Sequence, residues 1–71
     1  MTNVEELKAM LTEASETFGK VNGDSRIFEA KLYYLTGFMN GVMKANKMSI
    51  NFEEMRDLLK FKTELLKEEQ N

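Results

Sequence analysis

The chain has 71 residues, a net charge of −2, and no cysteine, histidine or tryptophan. This length predicts a single domain over residues 1–71, with no room for a second core. Without cysteine and histidine, the chain lacks disulfide bonds, thiol nucleophiles, the usual general base at neutral pH and the best soft metal ligands. We therefore expect no enzyme activity, no cofactor and no metal site.

Charge and hydropathy also bear on where the chain acts. There is no basic, apolar leader at the N-terminus, and the uncharged run at residues 32–43 is shorter than the roughly 20 apolar residues that span a bilayer. We expect a cytoplasmic protein without a membrane segment. The charge is uneven, with −3 on residues 1–25, +3 on residues 26–48 and −2 on residues 49–71. A basic central helix between acidic neighbours is typical of helices that pack on one another.

The first predicted helix covers residues 3–17. Thr2 and Glu5 have the spacing of a capping box, in which each side chain binds a free backbone N–H of the first turn. Apolar side chains then recur at helical spacing and cover about 120° of the helix surface. They are Val4, Leu7, Met10, Leu11, Ala14 and Phe18.

A loop is predicted after this helix, because Gly19, Asn22 and Gly23 adopt positive φ at little cost. Either Asp24 or Ser25 can cap the helix that follows. The predicted loop extends from Gly19 to Ser25.

The central predicted helix covers residues 26–46, and the rest of the chain should pack around it. Its apolar side chains cover about 180° of the surface, whereas a surface helix needs only a little over 100°. We therefore expect it to contact two neighbours at once. The apolar residues are Ile27, Phe28, Leu32, Tyr34, Leu35, Phe38, Met39, Val42, Met43 and Ala45.

A strip of small residues, Ala30, Gly37 and Gly41, lies beside that apolar face. Each glycine costs about 1 kcal/mol relative to alanine inside a helix, so we expect a compensating reason. Two reasons are open: another backbone comes close to the strip, or the helix kinks at one of the glycines.

The third predicted helix covers residues 52–68. Ser49 or Asn51 can cap it, and Asn51 and Glu54 have capping-box spacing. Its apolar stripe spans about 140° and contains Phe52, Met55, Leu58, Leu59, Leu65 and Leu66. No stretch alternates apolar and polar residues as a strand does, so the sequence predicts an all-α three-helix bundle. Because wide apolar arcs remain in so short a chain, we also expect a helical homodimer.

Eight residues are candidates for contact with a protein partner: Lys31, Tyr33, Gly37, Asn40, Gly41, Lys44, Phe61 and Lys62. Two of them, Lys31 and Lys62, fall inside apolar stripes. Their stems can lie along apolar surface while the ammonium reaches water or a carboxylate. Alternatively, they border an interface in which a partner's acid meets them.

The aromatic candidates also have two interpretations each. Tyr33, on the polar side of the central helix with Asn40 and Lys44, either lies over a seam between two helices or forms a binding hot spot. Phe61 lies just beyond the edge of the third apolar stripe. It either covers a neighbouring helix or meets another chain.

These patterns favour a non-catalytic protein-interaction module, such as an adaptor, an inhibitor or a regulatory accessory protein, that binds a protein of unknown identity. Chains of this size are frequent among accessory proteins of phages and mobile elements. The alternative is a helix–turn–helix regulator that binds nucleic acid, because only about four residues join the second and third helices. Its recognition helix would present Glu53, Glu54 and Asp57, which repel phosphate, so we do not expect nucleic acid as the partner.

Overall fold

Three α-helices form the described part of the chain: α1 (Val4–Phe18), α2 (Ser25–Ala45) and α3 (Phe52–Glu68). The structure, a computed structural model, describes residues 3–68. Each helix packs against the other two, so the predicted all-α three-helix bundle is confirmed. The boundaries agree with the predicted ones to within one residue. As its wide apolar arc predicts, α2 contacts both neighbours.

The cap of α1 differs from the predicted one. Asn3 Oδ1 accepts a hydrogen bond of 2.8 Å from the backbone N–H of Glu6, so α1 begins at Val4. The predicted capping box paired Glu5 with Thr2, which lies outside the described residues. An asparagine side chain satisfies a free N–H of the first turn as well as a threonine does.

The caps of α2 and α3 follow the sequence patterns. Asp24 Oδ1 accepts hydrogen bonds of 2.9 and 3.3 Å from the first two backbone N–H groups after Ser25, so Asp24 is the cap. Before α3, the Glu54 N–H donates to Asn51 Oδ1 at 2.8 Å, and the Asn51 N–H donates to Glu54 Oε1 at 3.2 Å. This reciprocal pair is the predicted capping box.

The loop between α1 and α2 has the predicted left-handed backbone. The φ angles are 102° at Gly19, 55° at Asn22 and 76° at Gly23. Val21, to which the sequence analysis gave no role, is fully buried within this loop. The second connection also contains a left-handed residue, Lys47 with φ of 47°, for which a lysine gives no sequence signal.

The core consists of aliphatic side chains and a methionine from all three helices. Seven buried residues form one cluster: Leu7, Leu11, Ala14, Leu35, Met39, Leu58 and Leu66. Burying a side chain of leucine size contributes about 1.5–3 kcal/mol. The bundle is therefore held mainly by this cluster, and two lysines are buried beside it.

Lys31 is completely buried, which contradicts the expectation that its ammonium reaches water. Lys31 Nζ donates a hydrogen bond of 2.6 Å to the carbonyl oxygen of Gly19, at the C-terminal end of α1. It also lies 5.7 Å from the centre of the Phe18 ring. The negative end of a helix and the face of an aromatic ring both attract a cation. Burial lowers the pKa of Lys31, and the side chain is not accessible to a partner.

Lys62 is also buried, with 7% of its surface exposed. Its Nζ donates a hydrogen bond of 2.8 Å to Thr36 Oγ1. The Thr36 hydroxyl in turn donates to the backbone carbonyl of Leu32 at 2.8 Å. Lys62 thus connects α3 to α2 inside the bundle, where its ammonium binds a hydroxyl of α2, whereas the two sequence interpretations were an ammonium that reaches water or a carboxylate and a lysine that borders an interface.

A salt bridge connects α1 to α3 near Phe61. Lys8 Nζ lies 2.6 Å from Asp57 Oδ2, 3.7 Å from Glu5 Oε1 and 5.7 Å from the centre of the Phe61 ring. The hydrogen bond between Lys8 and Asp57 raises the pKa of Lys8 and lowers the pKa of Asp57. Phe61 is half-buried against the core, which fits the first of its two interpretations, contact with a neighbouring helix.

Candidate protein-binding surface

The other five candidate residues lie together on the outer side of α2. Tyr33, Gly37, Asn40, Gly41 and Lys44 are all exposed. They occupy successive turns of α2 and lie on one side of the helix. Tyr33 is 68% exposed, so it does not lie over a seam between two helices. Five of the eight candidates therefore form one exposed strip, whereas Lys31 and Lys62 are buried and Phe61 is half-buried.

No other part of the described chain packs on Gly37 or Gly41. A Cβ atom added at either position would have no heavy atom within 4 Å, apart from the helix's own backbone and adjacent residues. The expected close approach of another backbone is therefore wrong within one chain. α2 continues through both glycines as a single helix. The space above them is open to another molecule.

An apolar groove runs beside this strip, between α1 and α2. It has a volume of about 260 Å³ and is lined by Met10, Glu13, Ala14, Thr17, Tyr34 and Phe38. The Tyr34 ring lies 5.4 Å from the Phe18 ring and 6.5 Å from the Phe38 ring, measured between ring centres. Because these rings contact one another, Tyr34 is held in place although 41% of its surface is exposed.

We call the groove and the adjacent outer side of α2 the α1/α2 face. Its exposed residues are Glu6, Ala9, Met10, Glu13 and Thr17 of α1 and Arg26, Ile27, Ala30, Tyr33, Tyr34, Gly37, Asn40, Gly41 and Lys44 of α2. Met10, Ile27 and Tyr34 were predicted to lie in buried stripes, but 36–41% of their surface is exposed. Ile27 and Tyr34 lie at the margin of the 180° arc of α2, and the width of that arc was the available signal. The narrower stripe of α1 gave no such signal for Met10.

The two helices of the α1/α2 face carry opposite charges. The exposed charged residues of α1 are all acidic: Glu5, Glu6, Glu13 and Glu16. Its one basic residue, Lys8, points toward α3 and binds Asp57 there. In contrast, α2 exposes Arg26 in its first turn and Lys44 in its last turn, with Glu29 as its one exposed acid. The surface is acidic along α1 and basic at both ends of α2.

A second exposed apolar surface follows α3. Phe52 is 80% exposed and Leu59 is 42% exposed, and they lie seven positions apart on one side of the helix. Both were predicted to belong to the core stripe. In the structure, Leu58 and Leu66 occupy the buried positions and Phe52 and Leu59 lie at the outer edge.

Neither a metal-binding cluster nor a membrane-spanning helix is found among the described residues. Within residues 3–68, no cluster of acidic side chains is close enough to hold a metal ion. In the same range, none of the helices combines the length and hydropathy needed to cross a membrane. Comparisons with models of known protein families, with curated proteins and with solved structures give no match for this chain.

Proposed function

We propose that this chain is a non-catalytic protein-interaction module that binds a partner protein through the α1/α2 face. The observation that carries the proposal is the exposure of Tyr33, Tyr34, Ile27 and Met10 on adjoining parts of one surface. Contiguous exposed apolar surface on a small protein is characteristic of an interaction site. An adaptor, an inhibitor and a regulatory subunit all act by such a contact.

The chemistry of the α1/α2 face suits a partner helix. Because Gly37 and Gly41 have no side chain, a second helix can lie at the shorter end of the usual 8–10 Å interaxial range. Tyr33 and Tyr34 lie on either side of these glycines, and large aromatic side chains supply much of the binding energy at protein interfaces. The charges of Glu13 and Lys44 on opposite sides favour one orientation of the partner.

Tyr33→Ala provides the sharpest test of this proposal. Tyr33 is mostly exposed and lies outside the core cluster, so we expect the variant to fold like the wild type. Affinity capture from cells that contain the protein, followed by calorimetry with the purified partner, measures binding. We expect Tyr33→Ala to weaken binding by about 10- to 30-fold, the effect of losing roughly 1.4–2 kcal/mol at a hot spot.

Phe52→Ala is the matched control for that experiment. It removes an even more exposed aromatic side chain, but from α3 instead of the α1/α2 face. We expect it to bind like the wild type. Equal loss of binding in both variants, or full binding by Tyr33→Ala, would contradict the assignment of the α1/α2 face.

The helix–turn–helix alternative makes a different prediction. The exposed basic residues Arg26, Lys44 and Lys47 offer a route to phosphates, whereas α3 exposes Glu53 and Asp57 near its start, beside Arg56 and Lys60. Binding of duplex DNA that falls steeply with added salt would favour this alternative. We expect no such binding, because the exposed acids of α3 repel the phosphate backbone.

A further inference from the structure

We infer that the partner on the α1/α2 face is a second copy of this chain, related by a two-fold axis parallel to α1 and α2. This inference rests on the proposed function, and it names both the partner and the geometry of the contact. Three features carry it: the size of the face, the distribution of charge along the two helices, and the antiparallel register between them.

The size of the face favours a contact that uses both helices. At about 1.5 Å per residue and about 10 Å in width, α2 with 21 residues covers roughly 300 Å² in projection. Adding the 15 residues of α1 increases this to roughly 500 Å². Side-chain relief makes accessible area larger than projected area, so the two-helix face approaches the roughly 800 Å² per partner of a standard interface. α2 alone would not.

The hydrogen bond from Lys31 to Gly19 and the contact between the Phe18 and Tyr34 rings show which ends of α1 and α2 lie side by side. The helices are antiparallel, so moving equally far along both from these contacts places Glu6 within about one helical turn of the height of Lys44. It also places Ala9, a small exposed residue, near the height of Gly41. Glu6 is in the first turn of α1 and Lys44 is in the last turn of α2. Both therefore lie at the end of the bundle away from the first loop.

A two-fold axis parallel to the helices places α1 of one copy on α2 of the other and keeps every residue at its own height. Glu6 then faces Lys44 of the second copy, and this contact occurs twice because the interface is isologous. Ala9 meets the small residue Gly41, so the two helix backbones can approach closely. The Met10 and Tyr34 side chains that line one groove meet the groove of the other copy.

The other two-fold arrangement, with the axis across the helices, is electrostatically unfavourable. It would place α1 on α1, which brings exposed Glu6 and Glu13 toward the same acids of the second copy. It would also place α2 on α2 in antiparallel orientation, with Arg26 near Lys44 of the second copy. Like charges in contact disfavour an interface, so the charge distribution selects the axis parallel to the helices.

Charge reversal tests this geometry directly. We expect the wild type to form dimers in the micromolar range by sedimentation equilibrium, since the interface is near the lower end of standard sizes. Glu6→Lys and Lys44→Glu should each weaken dimerisation by about tenfold or more, because each replaces two attractive contacts with two repulsive ones. The double variant, Glu6→Lys with Lys44→Glu, should restore it.

The double variant also separates dimerisation from folding. Glu6 lies at the N-terminus of α1 and Lys44 at the C-terminus of α2, where each interacts favourably with its helix dipole. The double variant should therefore have the least stable fold of the set, yet associate more tightly than either single variant. Glu53→Lys, the same reversal in the first turn of α3 and outside the face, is the control and should dimerise like the wild type.

Three results would overturn the inference. A wild type that remains monomeric up to about 1 mM has less than about 4 kcal/mol of association free energy and is not a dimer. A dimer that tolerates both single reversals does not use this contact. A double variant that stays dissociated rules out the pairing of Glu6 with Lys44. In each case, the capture experiment with Tyr33→Ala decides the proposed function separately, because binding of a different protein needs no dimer.

Discussion

Replacing the two glycines of α2 by alanine should stabilise the folded monomer. Gly37 and Gly41 lie in the interior of a helix, and an added Cβ atom at either position meets no heavy atom within 4 Å. Alanine is favoured over glycine in a helix interior by about 0.8–1 kcal/mol, because glycine loses more backbone entropy on folding. With no steric cost to subtract, Gly37→Ala and Gly41→Ala should each gain nearly that amount, and the double variant about 2 kcal/mol.

The gain is large enough to measure by thermal unfolding. For a domain of this size, 1 kcal/mol corresponds to roughly 4–8 °C in Tm. Each single variant should therefore melt about 4–8 °C above the wild type when followed by far-ultraviolet circular dichroism. The protein concentration should be kept low, so that unfolding of the monomer is measured without a contribution from self-association.

Two other glycines provide controls in which the same substitution has the opposite sign. Gly19 and Gly23 have φ angles of 102° and 76°. An alanine there has its Cβ atom too close to the backbone, which costs roughly 1–2 kcal/mol. Gly19→Ala and Gly23→Ala should lower Tm. If the helical and the loop substitutions shifted Tm in the same direction, the assignment of open space above α2 or of positive φ in the loop would be wrong.

Three further predictions concern the interior and the α1–α3 salt bridge. Burial lowers the pKa of Lys31, so the folded chain holds this proton less tightly than the unfolded chain does. As the pH rises toward the ordinary pKa of 10.5, the free energy of unfolding of the wild type, measured with urea, should therefore increase relative to that of Lys31→Met, which has no lysine to titrate at this position. A difference between the two free energies that does not change with pH would contradict this. The hydrogen bond with Lys8 lowers the pKa of Asp57. The pair therefore stabilises the fold at pH values above 3.8, the ordinary pKa of aspartate, and this stabilisation is lost as the pH falls through the lowered pKa. Asp57→Asn should accordingly be less stable than the wild type at neutral pH, with a difference that disappears in acid; a difference that persisted there would point to lost packing. Finally, Leu35→Ala should lower the free energy of unfolding by about 2–5 kcal/mol, because Leu35 is fully buried, whereas Leu59→Ala should lower it by less than about 1 kcal/mol. Similar midpoints of urea unfolding for the two variants would contradict the assigned core.

The helices and their boundaries could be predicted because their causes are local. Apolar spacing marks each buried stripe, and the Asn51–Glu54 capping box contains all of its partners within one turn. The left-handed loop positions at Gly19 and Gly23 also follow from residue type alone. Lys47 has the same backbone conformation, but its residue type gives no indication of it.

The roles of the two central lysines could not be predicted from helix periodicity. A helical projection places Lys31 and Lys62 in the apolar stripes, but it does not show which polar atoms of other segments lie within reach. Gly19 is distant from Lys31 in sequence, and Thr36 is distant from Lys62. The Gly19 carbonyl and the Thr36 hydroxyl accept hydrogen bonds from these two ammonium groups, which can therefore be buried. The sequence alone predicts that both ammonium groups reach water or a carboxylate.

The hydrogen bond between Lys62 and Thr36 has a consequence for how many shapes the bundle can adopt. Leucine and methionine side chains on α3 would bury similar apolar area if the helix rotated or slid slightly, so packing alone would leave several arrangements close in energy. A movement large enough to separate Lys62 from Thr36 would cost a buried ammonium one of its hydrogen bonds, roughly 1–3 kcal/mol. Together with the salt bridge between Lys8 and Asp57, this contact therefore favours one rotational setting of α3. It lets a small, leucine-rich chain present the same outer surface in every molecule.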